Sequence, residues 1–351
     1  MKLPLFLGKT MKRLICIGLI FVLILSFTAC DKGYNKYTDY TFDYFDTAVS
    51  IIGYEKEKQT FDENCTRIKE KLDRYHKLYN IYARYEDINN IYTINHSETS
   101  VEVDREIIDM LKFSKEMYDL TGGQVNVAMG SVLSLWHDAR TEGLNNPEKA
   151  QIPDFSKLSE AFGHTSIDDI VLGTNSVEIK DKKVKLDVGA VAKGYATEQV
   201  ALWMEKEGII GYLLNVGGNI RIVGKRPDGK KWQIGLENPD GDDENPYTEY
   251  LELEKMCIVT SGSYQRFYTV NGKDYHHIID PDTLMPAKGY KMVSIITKDS
   301  GVADALSTAL FCMDYDEGNA IIDSMKDAYA MWVLEDGGKL YSKGFERFIK
   351  S

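Results

Sequence analysis

The sequence is poor in cysteine and in positive charge, and each shortage closes off a class of function. Five cysteines are spread over 351 residues, two of them (Cys16 and Cys30) near the N-terminus. The remaining Cys65, Cys257 and Cys312 are odd in number and far apart, so they offer neither a disulfide framework nor the paired spacing of a zinc site. Lysine and arginine total 42 against 54 aspartates and glutamates, a net charge of −12. With no basic stripe to offset that excess, nucleic acid is excluded as a partner. There is no internal repeat, heptad run or low-complexity block. What remains is a chain of ordinary globular composition, 43% hydrophobic and 27% charged, long enough for one large domain or two small ones.

The N-terminus reads as an export signal. Lys9, Lys12 and Arg13 precede an apolar run over 14–27 that ends in small residues, too short and too early for a membrane span. Translation starts at either Met1 or Met11. Phe27-Thr-Ala-Cys30 resembles a lipoprotein signal-peptidase box, with phenylalanine where leucine is usual. Residues 1–29 are then a lipoprotein signal peptide, Cys30 is the lipidated first residue, and the protein hangs from the outer side of a cell membrane. Plain signal cleavage and an uncleaved anchor are the alternatives. Loss of Lys2, Lys9, Lys12 and Arg13, with no acid among residues 1–29, takes the net charge from −12 to −16.

Residues 30–40 are expected to be a tether, with the folded domain over 41–351. A strand is expected over 42–52. Ile68, Leu72, Tyr75 and Leu78 recur at helical spacing and predict an amphipathic helix over 62–79. A second helix is expected from Asp104, with Glu106 in its first turn, to Leu120, where Thr121-Gly122-Gly123 stops it. Residues 79–95 and 145–154 read as loops. Strands are expected around 167–172, 176–179, 184–186, 212–216, 231–237, 250–253, 257–260 and 292–297, with an acidic loop at 240–245 and a helix over 301–313. Strands and helices interleave without a steady βαβ period, which favours a mixed α+β domain over a doubly wound parallel sheet.

The candidate chemistry gathers in the second half. Asp187-Val-Gly-Ala-Val-Ala-Lys-Gly-Tyr195 lies between a strand-like run ending at Leu186 and a helix-like run carrying Val200, Leu202 and Trp203. Strand, glycine turn and helix can aim backbone N–H groups at an anion. Lys193 falls in the first helical turn, where the macrodipole disfavours a cation unless a phosphate sits opposite. An ordinary βα turn with a solvated lysine is the alternative. Further on, Asn271-Gly272 signals a hairpin that returns Tyr275-His-His-Ile-Ile-Asp-Pro281 antiparallel to the preceding strand. Adjacent strand residues point to opposite faces, so His276 and His277 meet different surroundings and one is a candidate general base. Asp304 and Thr308 are four apart and share a helix face, with Ser307 between them. Their oxygens suit magnesium if a phosphate lies nearby; the alternative is a carboxylate that merely complements a helix dipole.

These motifs occur in one order with Phe45-Asp-Thr47, Thr121-Gly-Gly-Gln-Val-Asn-Val127, Asn215-Val-Gly-Gly-Asn219 and Thr260-Ser-Gly262. Together they resemble the ApbE family, the FAD:protein FMN transferases, many of which carry a lipoprotein-type leader. The family more often has glycine in place of Asp46. The resemblance implies a single mixed α/β domain of the ApbE-like, T-fold-related type. It implies an enzyme that binds FAD as substrate, splits its pyrophosphate with Mg²⁺, and attaches FMN through a phosphoester to a threonine or serine of an exported flavoprotein, releasing AMP. Acceptors would be subunits of membrane electron-transfer complexes or related flavoproteins. By position, His277 would be the catalytic histidine, and Mg²⁺ would be held by the Ala190 carbonyl and the side chains of Asp304 and Thr308. Phe45, Tyr82, Gln124, Val125, Asn126, Asp187, Lys193 and Ile278 would contact FAD. Two alternatives use the same residues: an FAD pyrophosphatase that transfers to water, and an exported FAD-binding lipoprotein without turnover.

Overall fold

The computed structural model describes residues 33–350; the leader and Cys30 lie outside the described residues. Strands β1 (Asn35–Thr41) and β2 (Val49–Glu55) pair antiparallel. The expected tether is therefore shorter. Residues 35–41 are an edge strand because Tyr37, Asp39 and Thr41 alternate with the more exposed Lys36, Thr38 and Tyr40, and Tyr37 packs on Phe61. The strand expected over 42–52 begins only at Val49. Residues 42–48 turn instead, with Phe45 and Asp46 at φ of 56° and 50°. Glycine, asparagine and aspartate tolerate that conformation best, which accounts for the glycine the resembling family more often has at position 46.

Helix α1 (Lys58–Tyr79) buries Phe61, Cys65, Ile68, Leu72 and Leu78 at three-and-four spacing. A single turn, α2 (Ile91–Asn95), interrupts the expected loop and is closed by a capping box between Asn90 and Thr93. After β3 (Val101–Glu102), α3 (Arg105–Leu120) ends where Gly122 and Gly123 turn with φ of 60° and 93°. Helices α4 (Gly130–Asn145) and α5 (Phe155–Phe162) were not expected from the sequence. The buried face of α4 is Gly130, Val132, Trp136 and Gly143. Two of those four are glycines, which carry no hydrophobic period, yet each is required: Gly130 lies on the Lys185 carbonyl and Gly143 on the Tyr268 ring.

β4 (Ile170–Leu172) and β5 (Ser176–Ile179) form a small antiparallel sheet with β3. The strand expected at 184–186 contributes only a bridge between Lys185 and Met129. Helix α6 (Ala192–Lys206) leads into the hairpin β6 (Tyr212–Val216) and β7 (Asn219–Val223). β8 (Trp232–Glu237) and β9 (Tyr247–Leu253) make a separate ribbon, and β10 (Cys257–Gly262) follows. β11 (Phe267–Val270) and β12 (Lys273–His276) form the hairpin expected at Asn271-Gly272, whose φ values are 50° and 79°. β13 (Tyr290–Thr297), α7 (Ser300–Phe311), α8 (Tyr315–Ser324), β14 (Tyr329–Leu334) and β15 (Lys339–Tyr341) complete the chain.

The main sheet runs β1-β2-β6-β7-β10-β13-β14-β15, and each neighbouring pair is antiparallel. Both faces are covered, so β13 divides its side chains between two cores. Val293 and Ile295 join the cluster that includes α3 and α7, whereas Met292 and Ile296 meet Trp232, Leu251 and Phe345. The fold is a mixed α+β arrangement, as the interleaving of elements implied. Among the described residues no helix is long and apolar enough to cross a membrane.

Helix α7 is buried along almost its whole length and crosses α6 closely. At the crossing stands Gly194: a Cβ there would fall on the Ser300 carbonyl oxygen and the Asp304 Cβ. Alanine is ordinarily the better helix former by about 1 kcal/mol, but overpacking a fixed core costs about 1–3 kcal/mol, and here the neighbour is backbone. Gly194→Ala is therefore expected to lower the denaturation midpoint in urea; an equal or higher midpoint would show that α6 and α7 can separate at no cost.

Candidate active site

Several amides of the turn before α6 are already bonded within the protein. The amides of Ala192 and Tyr195 bond the carbonyls of Val188 and Val191 at 2.8 and 3.0 Å. Gly189 N–H donates to Asp187 Oδ1 at 2.9 Å. Gly194 N–H donates to Asp304 Oδ2 at 2.8 Å. The anion at the start of α6 is thus the carboxylate of Asp304, supplied by α7. In helical register Gly194 N–H would have bonded the Ala190 carbonyl, so its diversion leaves that carbonyl without its helical partner. Asp304 is 3% exposed, and burial raises its pKa, opposed by Lys193 and the Gly194 amide. Lys193 Nζ lies 3.4 Å from Asp304 Oδ1 and 3.4 Å from the Gly189 carbonyl. The cation at the helix start is accounted for by this carboxylate.

Three oxygens therefore suit a hard cation: the Asp304 carboxylate, the Thr308 hydroxyl one turn later, and the unpaired Ala190 carbonyl. This donor set fits magnesium and carries no sulfur or imidazole. Among the described residues no group of three or more His, Cys, Asp and Glu side chains could hold a metal, so substrate or water oxygens would have to complete such a site. Ser307 is not available to it. Its hydroxyl donates to the Asp304 carbonyl at 3.0 Å and lies 2.8 Å from Ser261 Oγ.

The β11–β12 hairpin separates the two histidines. His276 Nε2 lies 2.9 Å from the Ala287 carbonyl, Ile278 N–H approaches its Nδ1 at 3.3 Å, and its ring meets Phe311 edge-on. Both nitrogens are spent. His277 turns the other way: its N–H bonds the Arg266 carbonyl at 3.1 Å and its Nδ1 lies 3.2 Å from the same oxygen. A carbonyl can only accept, so Nδ1 carries the proton and Nε2 keeps a free lone pair. The residue is exposed to solvent while many protein atoms surround its ring. Its pKa is nevertheless pushed down to about 3, by desolvation first and then by Arg266, Arg140, His276 and Lys193.

The remaining candidates divide. Tyr82 and Asp187 share the field of Arg140, and burial raises the pKa of each. Gln124 Nε2 bonds Asp282 in the turn after His277 at 2.9 Å, while its Oε1 is buried without a partner. Phe45 packs edge-on against His76, whose Nδ1 accepts the Phe45 N–H at 3.0 Å. Asn126 is committed to the loop through Thr165 and Ala128. The side chains of Val125 and Ile278, 1% and 5% exposed, belong to the core, so only their backbone could meet a ligand. His137, Arg140 and Arg266 were missed. The first two lie on α4, the helix without a hydrophobic signature, and nothing in the spacing linked them to His277. A cavity of about 450 Å³ lined by Asn238, Asp240, Thr248 and Lys339 shares no residue with this site.

A sequence model of the ApbE family matches residues 45–332. The chain is 28% identical over 341 residues to an FAD:protein FMN transferase of Haemophilus influenzae, covering 93% of this chain and 95% of that protein. It is 29% identical over 252 residues to one of Treponema pallidum, covering 67% of each. Among solved structures, the ApbE protein of Thermotoga maritima superposes with a TM-score of 0.76 at 30% identity, covering 91% of this chain and 100% of that one. The flavin transferase ApbE of Vibrio cholerae gives 0.73 at 23% identity over 90% and 99%, a likeness of fold.

The state of His277 has a measurable consequence. The folded site disfavours the protonated ring, so the associated stability is complete above the ordinary value of 6.5 and is lost as pH falls from there towards about 3. An imidazole NMR titration of the ligand-free protein is expected to show one histidine that stays neutral well below pH 6.5 and is missing from His277→Gln. A midpoint at or above 6.5 would contradict the electrostatics described.

Proposed function

Given that the chain belongs to the ApbE family, we propose that it is an FAD:protein FMN transferase that moves FMN from FAD to a threonine or serine hydroxyl of an exported flavoprotein and releases AMP. One observation carries this reading beyond family membership. A histidine whose Nδ1 is held by the Arg266 carbonyl, leaving Nε2 free, feels the charges of Arg266, Arg140 and Lys193, and Lys193 in turn lies 3.4 Å from the buried carboxylate of Asp304. A base next to a phosphate-binding region is what hydroxyl attack on a diphosphate requires.

In this reading the acceptor hydroxyl loses its proton to His277 Nε2 as its oxygen forms a bond to the flavin-side phosphorus. The P–O bond to the adenosine-side phosphate breaks, and AMP carries away that bond's electron pair. The Arg266 carbonyl holds Nδ1–H, fixing the tautomer and aiming the ring. Asp304, Thr308 and the Ala190 carbonyl would hold Mg²⁺, which when bound would supply positive charge to the diphosphate. Lys193 adds a fixed cation on the same side. Asp187 keeps the turn closed through Gly189 and is a contact for the nucleotide, with Tyr82, Gln124 and Phe45 around it. Charge that builds on the departing phosphate rises against positive groups already in place, so little reorganisation is needed.

The leader supports a location: lipidation at Cys30 would place the enzyme at the outer face of a cell membrane, where exported flavoprotein acceptors and electron-transfer subunits reside. The anchor rests on Lys9–Cys30 alone. Cys30→Ala is expected to move the protein from the membrane fraction to the soluble one and to end labelling by a fatty-acid analogue; labelling that persists would refute the anchor.

Two variants test the chemistry. His277→Ala is expected to bind FAD as the parent does while FMN transfer, followed by the mass of an acceptor, slows by about 10²–10⁴-fold. Asp304→Ala is expected to lose the stimulation of transfer by Mg²⁺. Normal flavinylation by the first, or intact metal dependence in the second, would overturn the respective role. Release of AMP at the same rate with and without acceptor would point to a hydrolase.

A further inference from the structure

Two arginines that act on His277 form no ion pair with a carboxylate. Arg67, Arg74, Arg105, Arg221 and Arg226 each form an ion pair with a carboxylate; Arg140 and Arg266, like Arg84 and the ring-stacked Arg347, form none among the described residues, but only Arg140 and Arg266 act on His277. Both are held in place by neutral partners. Arg140 Nη2 lies 3.2 Å from His137 Nδ1, and because a guanidinium only donates, His137 accepts. The His137 ring rests against Tyr82, with centroids 5.1 Å apart. Arg266 Nη2 donates to the Asp46 carbonyl at 3.0 Å, from the turn where Phe45 and Asp46 have positive φ. Burial and the charge of Arg266 both weaken Arg140's hold on its proton, and Arg140 and Arg266 both act on His277. The nearby acid Asp187 offsets Arg140 only in part and forms no ion pair with it: its Oδ1 is taken by Gly189 N–H. A fold that fixes two unpaired guanidinium groups close to each other bears a repulsion that an anion between them relieves.

We propose that Arg140 and Arg266 form a guanidinium clamp on the diphosphate of the bound nucleotide, with Arg140, held by the His137–Tyr82 stack, setting the preference for a diphosphate over a monophosphate. The proposal rests on the transferase reading for the identity of the nucleotide, but not for the existence of the anion site. Planar guanidinium forks match phosphate oxygens two at a time, so two of them distinguish a group with two phosphates from a group with one. Lys193 stays with the Asp304 side of the site, and the clamp supplies the remaining positive charge.

The test uses the purified full-length chain and ADP, AMP, riboflavin and FAD as probes, with affinities from calorimetry or flavin fluorescence. The parent protein is expected to bind ADP more tightly than AMP. Arg140→Gln and Arg266→Gln are each expected to weaken ADP and FAD by about 10- to 100-fold, to bring ADP down towards AMP, and to leave riboflavin affinity and melting temperature unchanged. Arg140→Lys is expected to recover part of the loss. Unchanged ADP affinity in both Gln variants overturns the clamp. So does a loss that falls equally on riboflavin and on the melting temperature, which would mark the arginines as structural. The two readings fail separately. A parent protein that binds ADP through Arg140 but modifies no acceptor refutes the transferase reading and leaves the clamp standing. One that flavinylates an acceptor while Arg140→Gln binds ADP normally does the reverse.

Discussion

Everything in the site depends on how α6 and α7 meet. Each helix gives the other a carboxylate. Asp304 of α7 accepts the Gly194 amide, and Glu198 of α6 accepts the Ser300 amide, both at 2.8 Å. Gly194 and Glu198 are four apart, as are Ser300 and Asp304, so the two bonds lie one turn apart along the contact. Gly194 must lack a Cβ for the approach to be close enough. Glu198 is held in turn by Arg221 of β7, through contacts of 2.8 and 2.9 Å with both side chains almost fully buried. Removing one partner from a buried pair of this kind costs about 3–5 kcal/mol, a large part of the 5–15 kcal/mol that holds a typical domain together.

That crossing puts a carboxylate of the protein itself at the start of α6. Once Asp304 takes the Gly194 amide, the Ala190 carbonyl loses its helical partner. Lys193 balances part of the buried charge, and the free oxygens of Asp304, Thr308 and Ala190 form a hard, oxygen-only set. Positive charge for a phosphate comes from elsewhere: Lys193, together with arginines on α4 and after β10. His277 feels the charge of Lys193 and both arginines, and its depressed pKa keeps it neutral across the ordinary pH range.

Much of this was legible in the chain. The amphipathic periods of α1 and α3, the Asn271-Gly272 turn and the alternation of the central strands follow from local rules that act within a few residues. So does the opposition of His276 and His277, since strand geometry sends neighbours to opposite faces. Other features were hidden for definite reasons. Helix α4 packs through glycines, which have no hydrophobic signal to read. The edge strand β1 is half-exposed and polar, so it resembles a tether until β2 pairs with it. The turn at Phe45–Asp46 adopts left-handed backbone because His76 and Arg266, far away in sequence, capture its N–H and C=O.

The family, the α+β class and the short list of groups able to do chemistry are legible in the sequence, because each is written in local pattern or in ordered motifs. Tertiary structure alone decided what those groups face. The order of residues around Asp187–Tyr195 does not show what its amides meet; a carboxylate from a helix more than a hundred residues later takes the one at Gly194. Which histidine keeps a free nitrogen was settled by the carbonyls of Ala287 and Arg266, and which arginines lack a partner by the packing of α4 against the hairpin. Charge, burial and hydrogen-bond competition are properties of neighbours in space, and the chain order does not contain them.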